Sequence, residues 1–233
     1  MNIAFSEEQE MLRTSARDFL TKECPKTLVR KLEEDKKGYS TELWHKMAEL
    51  GWMGLVLPEK YGGQGMGFMD LIILLQEMGR NILPGPFFST VVLGSLPILL
   101  AGTEEQKKEF LPKIAKGELI MTLAFTEPSA RYDAAGVQVK AKAQGDNFLI
   151  DGTKLFVENA HIADYMICAA RTRKGTTPED GITLFLVDAK SRGIKCEVMP
   201  TIGADKLCEV VFDDVEVPKK NMLRKLHGGW TIL

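Results

Sequence analysis

The chain has 233 residues, 45% hydrophobic and 27% charged, the balance of an ordinary folded protein with enough apolar surface for a core, which argues against a disordered segment. Its 30 Lys+Arg stand against 32 Asp+Glu for a net charge of -2, with both signs interspersed and no basic stripe along the sequence, so nucleic-acid binding is not expected. The most apolar run, Phe87 to Ala101, is shorter than the ~20 residues of a spanning helix and holds Ser89, Thr90, Gly94, Ser95 and Pro97, so a buried helix pair is expected there and no membrane span.

In chain order, Ser6 with Gln9 forms a capping-box pattern, and Leu12, Ala16, Phe19 and Leu20 recur at helical spacing until Cys24-Pro25 stops the run. The alternating charges from Lys31 to Lys37 read as a solvated helix face closed by Gly38. Ser40 to Leu50 is expected to be helical, with Leu43, Met47 and Leu50 on one face and Gly51 past its end. Pro58 to Gly67 carries four glycines within six residues, either an ordinary connector or a place of close backbone approach. Phe68, Leu71, Ile72, Leu75 and Met78 form the next apolar stripe. Asn81 to Pro86 breaks it before the apolar run. Thr103 with Gln106 starts a last helix, which Pro112 kinks or ends early, and Gly117 closes the helical half.

From Leu119 the period changes from 3.6 to about 2, with Val137, Val139, Ala141 and Ala143 alternating with polar residues. Gly145-Asp146 and Asp151-Gly152 are expected to be tight turns, the second separating Phe148-Leu149-Ile150 from Leu155-Phe156-Val157 as a hairpin. Ala163 to Ala170, Ile182 to Val187, Ile194 to Met199 and Val210 to Val217 supply further strands. The fold class is therefore α+β: an N-terminal all-helical domain followed by a mostly antiparallel β-barrel or two-sheet domain.

Cys24, Cys168, Cys196 and Cys208 are scattered without C-x-x-C spacing and the N-terminus reads as no secretion signal, so free thiols in a reducing, cytoplasmic compartment are expected. His45, His161 and His227 are too dispersed for a zinc site, and no metal is expected. The chemistry instead points to Leu123-Ala124-Phe125-Thr126-Glu127-Pro128 and, 28 residues after Thr126, Lys154-Leu155-Phe156-Val157-Glu158-Asn159. Together they offer a hydroxyl, backbone donors and aromatic rings, the requirements of a flat, hydrogen-bond-accepting cofactor such as a flavin.

These motifs resemble the acyl-CoA dehydrogenase family. The resemblance rests on Gly51, on Leu55 with Pro58 through Gly65, and on Gly102 through Lys108 with Leu111-Pro112-Lys113. It continues through Phe125 to Pro128, Asp151-Gly152 with Lys154, Asn159, Ala163-Asp164, and Phe212 to Pro218 with Asn221. It implies a helical domain over 1–118, a middle β domain over 119–226, and in 227–233 the start of a truncated C-terminal helical domain beginning near Trp230. It further implies FAD, an acyl-CoA substrate oxidised to its 2,3-enoyl-CoA, an electron-transfer flavoprotein as electron acceptor, and a homo-oligomer at full length. The family's proton-abstracting glutamate lies in the C-terminal domain, so no catalytic residue is assigned in this chain and an inactive portion is expected. The alternative is a non-catalytic scaffold or interaction subunit without flavin.

By the same resemblance, Leu123, Phe125, Thr126, Phe156, Val157 and Glu158 contact the cofactor and Tyr132 the substrate, Thr126 through its hydroxyl and N–H. A strand threonine favoured by β-branching and phenylalanines in a core account for the same residues without a ligand. Two departures stand out: Arg131-Tyr132-Asp133 replaces the family's Gly-Ser-Asp, and Phe156-Val157-Glu158-Asn159 replaces Trp-Ile-Thr-Asn. Glu158 therefore pairs with a cation such as Arg131, or faces solvent because the flavin site is altered. Glu127 reads as a cap on backbone amides rather than a base, and His161 as a surface or hydrogen-bonded loop histidine.

Overall fold

A computed structural model describes residues 5–233. The helical half contains α1 (Glu7–Glu23), α2 (Lys26–Glu34), α3 (Thr41–Glu49), α4 (Phe68–Arg80), α5 (Leu96–Ala101) and α6 (Glu104–Ala115). Both expected capping boxes are present: Ser6 Oγ accepts from Gln9 N at 3.2 Å, and Thr103 Oγ1 from Gln106 N at 3.2 Å. Each satisfies a backbone donor that has no partner within its own helix. A bidentate pair from Arg17 to the buried Glu77 (3.0 and 2.7 Å) ties α1 to α4. It holds the Glu77 carboxyl below its ordinary range, chiefly by that hydrogen bond.

Two expectations about these helices need correction. Along α4 the buried residues are Leu71, Ile73, Leu74, Glu77 and Met78, while Phe68 and Ile72 are exposed (57% and 43%). The stretch is apolar on most of its circumference, so spacing alone fits several phases, and docking on α1 through Arg17 selects one. The apolar run is not a buried helix pair but one continuous element: a π-helical segment, Phe88–Ser95, runs directly into α5. Its hydroxyls turn onto backbone carbonyls, Ser89 to Pro86 O, Thr90 to Met121 O and Ser95 to Val91 O. α6 passes Pro112 without ending and reaches Ala115.

The β half consists of β1 (Met121–Ala124), β2 (Lys140–Gln144), β3 (Asn147–Glu158), β4 (Tyr165–Arg171), β5 (Ile182–Asp188), β6 (Ile194–Val198), β7 (Leu207–Pro218) and β8 (Met222–Leu223). They form one sheet in the order β6-β7-β3-β2-β4-β5-β8, with β1 added to β4. Pairing is antiparallel except for β1 and β2 against β4, so the mostly antiparallel expectation holds, whereas the sheet is open and not a closed barrel.

The Asp151-Gly152 hairpin is also corrected. β3 runs straight through that dipeptide as a single 12-residue strand, because β7 pairs with it on both sides, with irregular register between Ile150 and Gly152 and between Lys154 and Val157. Gly152, at φ +135°, is needed for close approach: a Cβ there would lie 2.8 Å from Val139 Cγ2. The true turn is Gly145-Asp146, joining β2 to β3 with Gln144 opposite Asn147. Ala143, expected to alternate inward, is exposed at that end of β2. Both hydrophobic cores mix helical and strand residues, one joining Leu20, Trp44 and Leu74 to Phe185 and Phe212, the other Leu57, Phe110 and Ile114 to Met121 and Ile167.

Candidate functional site

The end of β1 and the middle of β3 converge on a buried ion pair. Lys154 has no solvent exposure, and its Nζ donates to Phe125 O at 2.9 Å and to Glu127 Oε1 at 2.8 Å. Both Glu127 oxygens accept from Gln138 N (2.9 Å each) and from Val139 N (3.0 and 3.1 Å), which bears out the capping reading of Glu127. A charge so buried is tolerated only because it is paired and hydrogen-bonded. Leu155 N closes the junction by donating to Thr126 O at 2.8 Å.

Pinned between these bonds, Thr126 is 8% exposed. Neither its hydroxyl nor its N–H has a partner among the described residues; of the other buried hydroxyls, Thr90 and Ser89 are bonded to backbone, whereas Thr122 Oγ1 is also unpartnered. Such donors call for an acceptor. Phe156 is 40% exposed at φ +55°, a conformation that costs a bulky residue of order 1–3 kcal/mol and concentrates at functional sites. Asn159, at φ +54°, makes a second left-handed residue two positions past Val157.

The remaining expected site residues fall differently. Leu123 and Phe125 are half-buried, the Phe125 ring lying 6.2 Å from Trp230 at a tilt of 36°. Val157 is in the core at 1% exposure, which leaves only its backbone for a ligand. Tyr132 is 75% exposed. Glu158 lines a cavity of about 390 Å³ between the helical half and the loop before β7, with Val29, Leu32, Ile82, Phe88 and Asp205 among its walls. Thr126 and Phe156 line neither that cavity nor a larger one near Arg171. The two segments are thus joined through backbone and Lys154 rather than across an open cleft.

Arg131 is not the partner of Glu158. Its guanidinium is held by Asp133 (Nη2 to Oδ2, 2.6 Å), two residues along the same exposed turn, and Glu158 has no cation partner among the described residues. Burial first, and the nearby Asp205 second, raise the Glu158 carboxyl above its ordinary value. A raised folded value favours the neutral form, so its contribution is present below the ordinary carboxylate range and lost as pH rises through the shifted value. Glu158→Gln is therefore expected to raise Tm at pH 7 on the order of 2 °C, with the gain vanishing near pH 4 in paired thermal melts. A pH-independent gain would point to packing instead of charge.

Lys154 is the residue at this junction whose role the sequence did not disclose. A lysine amid Thr153, Leu155 and Phe156 on a strand is the available signal, but only tertiary pairing with Glu127 shows that it is structural. The cysteines also come closer than their spacing suggested. Cys208 Sγ lies 3.7 Å from His161 Nδ1, whose Nε2 is 3.2 Å from Lys37 O, so His161 is indeed a hydrogen-bonded loop residue. The neighbouring Cys196 foremost, and His161 at 3.7 Å, lower the Cys208 thiol below its ordinary value, against burial, which raises it. No helix among the described residues is long and apolar enough to cross a membrane.

Comparison with known proteins matches residues 6–118 to the acyl-CoA dehydrogenase N-terminal domain and residues 122–215 to the acyl-CoA dehydrogenase middle domain. The caffeyl-CoA reductase-Etf complex subunit CarC of Acetobacterium woodii is 34% identical over 97% of this chain and 61% of its own length. The short-chain specific acyl-CoA dehydrogenase of Clostridium acetobutylicum is 32% identical over 100% of this chain and 62% of its own. Among solved structures, a glutaryl-coenzyme A dehydrogenase in complex with glutaryl-CoA superposes with a TM-score of 0.90 at 30% identity, over 100% of this chain and 60% of that one. The chain thus spans about 60% of the length of the relatives it matches.

Proposed function

The chain belongs to the acyl-CoA dehydrogenase family, and from that premise we propose that it holds FAD against Thr126 and serves the oxidation of an acyl-CoA thioester to its 2,3-enoyl-CoA. The observation that carries this reading is the pair of unpartnered donors on Thr126, fixed in place by the Lys154–Glu127 bridge. When bound, FAD supplies the acceptor for the hydride that leaves the substrate's β-carbon.

In this reading the Thr126 hydroxyl and N–H meet ring acceptors, and being held by the fold they need no rearrangement to do so. Phe125 and Phe156, half-buried and exposed, offer flat apolar faces, and Leu123 and the Val157 backbone complete the contact. Tyr132, on the exposed turn after Pro128, is the proposed substrate contact. The donor set fits a flavin, whereas Glu158 is the one member whose charge opposes it.

The Acetobacterium relative is named as a subunit of a complex with Etf, which supports electron-transfer flavoprotein as the partner proposed here. Four free cysteines favour a reducing compartment, and the cytoplasm is the location proposed here. Residues 1–233 hold no counterpart of the family's base, so these residues alone are proposed to show no thioester-dependent turnover. The unpaired Glu158 favours the second reading, a scaffold of the same fold that takes no flavin.

Absorbance separates the two. The chain titrated with FAD is expected to bind it with a shift of the visible bands, and Thr126→Val is expected to weaken binding about tenfold, as loss of one hydrogen bond to a ligand does. A chain that neither shifts nor quenches FAD fits the scaffold and sinks the flavin reading.

A further inference from the structure

Three reactive side chains that no motif joins meet where β6 pairs with β7. The register sets Cys196 opposite Val210 and Val198 opposite Cys208, so the two cysteines are diagonal neighbours on one face of the sheet. Their thiols come near enough that each shifts the titration of the other. From the loop after β3, His161 brings Nδ1 to 3.7 Å from the Cys208 sulfur. The tautomer of that ring follows from its second nitrogen. Nε2 lies 3.2 Å from Lys37 O, a carbonyl that only accepts, so Nε2 carries the hydrogen and the bare Nδ1 accepts from the Cys208 S–H.

A thiol, a base within reach of it and a backbone group that orients the base are the parts of an activated nucleophile. Cys24 and Cys168 supply the contrast: both are buried, neither has a base beside it among the described residues, and burial raises both thiols, Cys168 to about 11. Access limits the reagent. Cys208 has no solvent exposure, whereas Cys196 and His161 are half-buried and Val198, opposite Cys208, is 44% exposed, which favours a molecule near the size of water. β6 is an edge strand hydrogen-bonded to β7 alone, so it can shift by the small distance that separates a diagonal pair from disulfide geometry.

We propose that Cys208 is a site of oxidation by hydrogen peroxide, with His161 as its base and Cys196 as the resolving thiol, closing a disulfide between β6 and β7. The Cys208 proton passes to His161 Nδ1 and the thiolate attacks one peroxide oxygen. The S–O bond forms as the O–O bond breaks, and the departing hydroxide takes the proton from His161 and leaves as water. Attack by the Cys196 sulfur on the sulfenic acid then forms the S–S bond and releases a second water. Two thiols lose two electrons and the peroxide gains them. No flavin takes part in either step, although Cys208 pairs in register with Val157 and the bond therefore forms beside the Phe156–Glu158 segment.

The folded 233-residue chain, fully reduced and freed of reductant, is treated with hydrogen peroxide and followed by peptide mass mapping. A linked Cys196–Cys208 peptide is expected, reversed by dithiothreitol, with Cys24 and Cys168 remaining free thiols. In Cys196→Ser, a sulfenic acid trapped by dimedone is expected at Cys208. His161→Gln is expected to slow oxidation of Cys208 about tenfold or more, as loss of its base does. Were His161 only structural, its replacement would loosen the loop and leave the rate unchanged or raise it. An intact Cys208 thiol after peroxide, oxidation of Cys24 or Cys168 at the same rate, or an unslowed His161→Gln each overturns the proposal. So does a sulfenic acid that persists on Cys208 in the unsubstituted chain, which would remove Cys196 from its role.

Discussion

Lys154→Met is expected to lower the unfolding free energy by about 3–5 kcal/mol, the cost of breaking a buried ion pair from one side. Among the described residues the ammonium is the only cation paired with Glu127, and with no exposure of its own it has no water to replace that partner. Its loss leaves the Glu127 carboxylate with two backbone donors and Phe125 O with none. For a chain of this size each kcal/mol moves Tm by roughly 2–4 °C, so a fall of about 10 °C is expected in thermal melts, with a matching change in urea midpoint. FAD affinity should fall further than the stability loss explains, because Phe125 and Glu127 bracket Thr126. The double variant Glu127→Leu/Lys154→Met removes the stranded charge along with its partner and is expected to be more stable than Lys154→Met alone. A single variant costing under about 1 kcal/mol, the range of an exposed pair, would show that the ammonium reaches solvent and that the bridge does not hold the site.

How much of this was legible beforehand depends on the range of the forces involved. The capping boxes at Ser6 and Thr103 are local, a side chain meeting a backbone amide three residues on, and both stand as read. The strand runs after Leu119 are likewise local in pattern, and each found a partner. Asp151-Gly152 misled because its dipeptide signal is that of a turn, while the pairing of β3 with β7 across more than fifty residues of chain overrides it. The α4 stripe misled for a similar reason, since tertiary contacts with α1, Arg17 to Glu77 and Gln9 to Asp70, choose the phase of a helix apolar on most of its circumference. The site residues were legible as types and positions, but their states were not: that Thr126 keeps free donors, that Val157 turns inward and that Arg131 is taken by Asp133 are outcomes of packing.

The glycine-rich stretch after Pro58 poses the same question of connector against close approach, and the geometry answers with a large expected effect for Gly63→Ala. A Cβ on Gly63 would sit 2.0 Å from Leu57 O and 2.5 Å from Leu57 C, backbone atoms that no rotamer can move aside. The loop doubles back so tightly because Gln64 N donates to Gly54 O, Gly65 N to Leu57 O and Met66 N to Leu55 O, at 2.9–3.0 Å. Relief of the clash requires those bonds to lengthen and Leu57, fully buried, to shift in the core that also contains Met121 of β1. Overpacking of this kind is expected to cost about 3 kcal/mol in urea unfolding. Gly65→Ala is the internal comparison: nothing lies within 4 Å of a Cβ there, and its φ of +66° alone is expected to cost about 1–2 kcal/mol. The order of the two variants decides the matter. Should Gly65→Ala prove the more damaging, conformational freedom and not close approach is what the loop requires. With the order as expected, the loop is the brace that sets the position of β1, and through β1 the segment carrying Thr126, so Gly63→Ala should also weaken FAD binding without touching a single residue of the site.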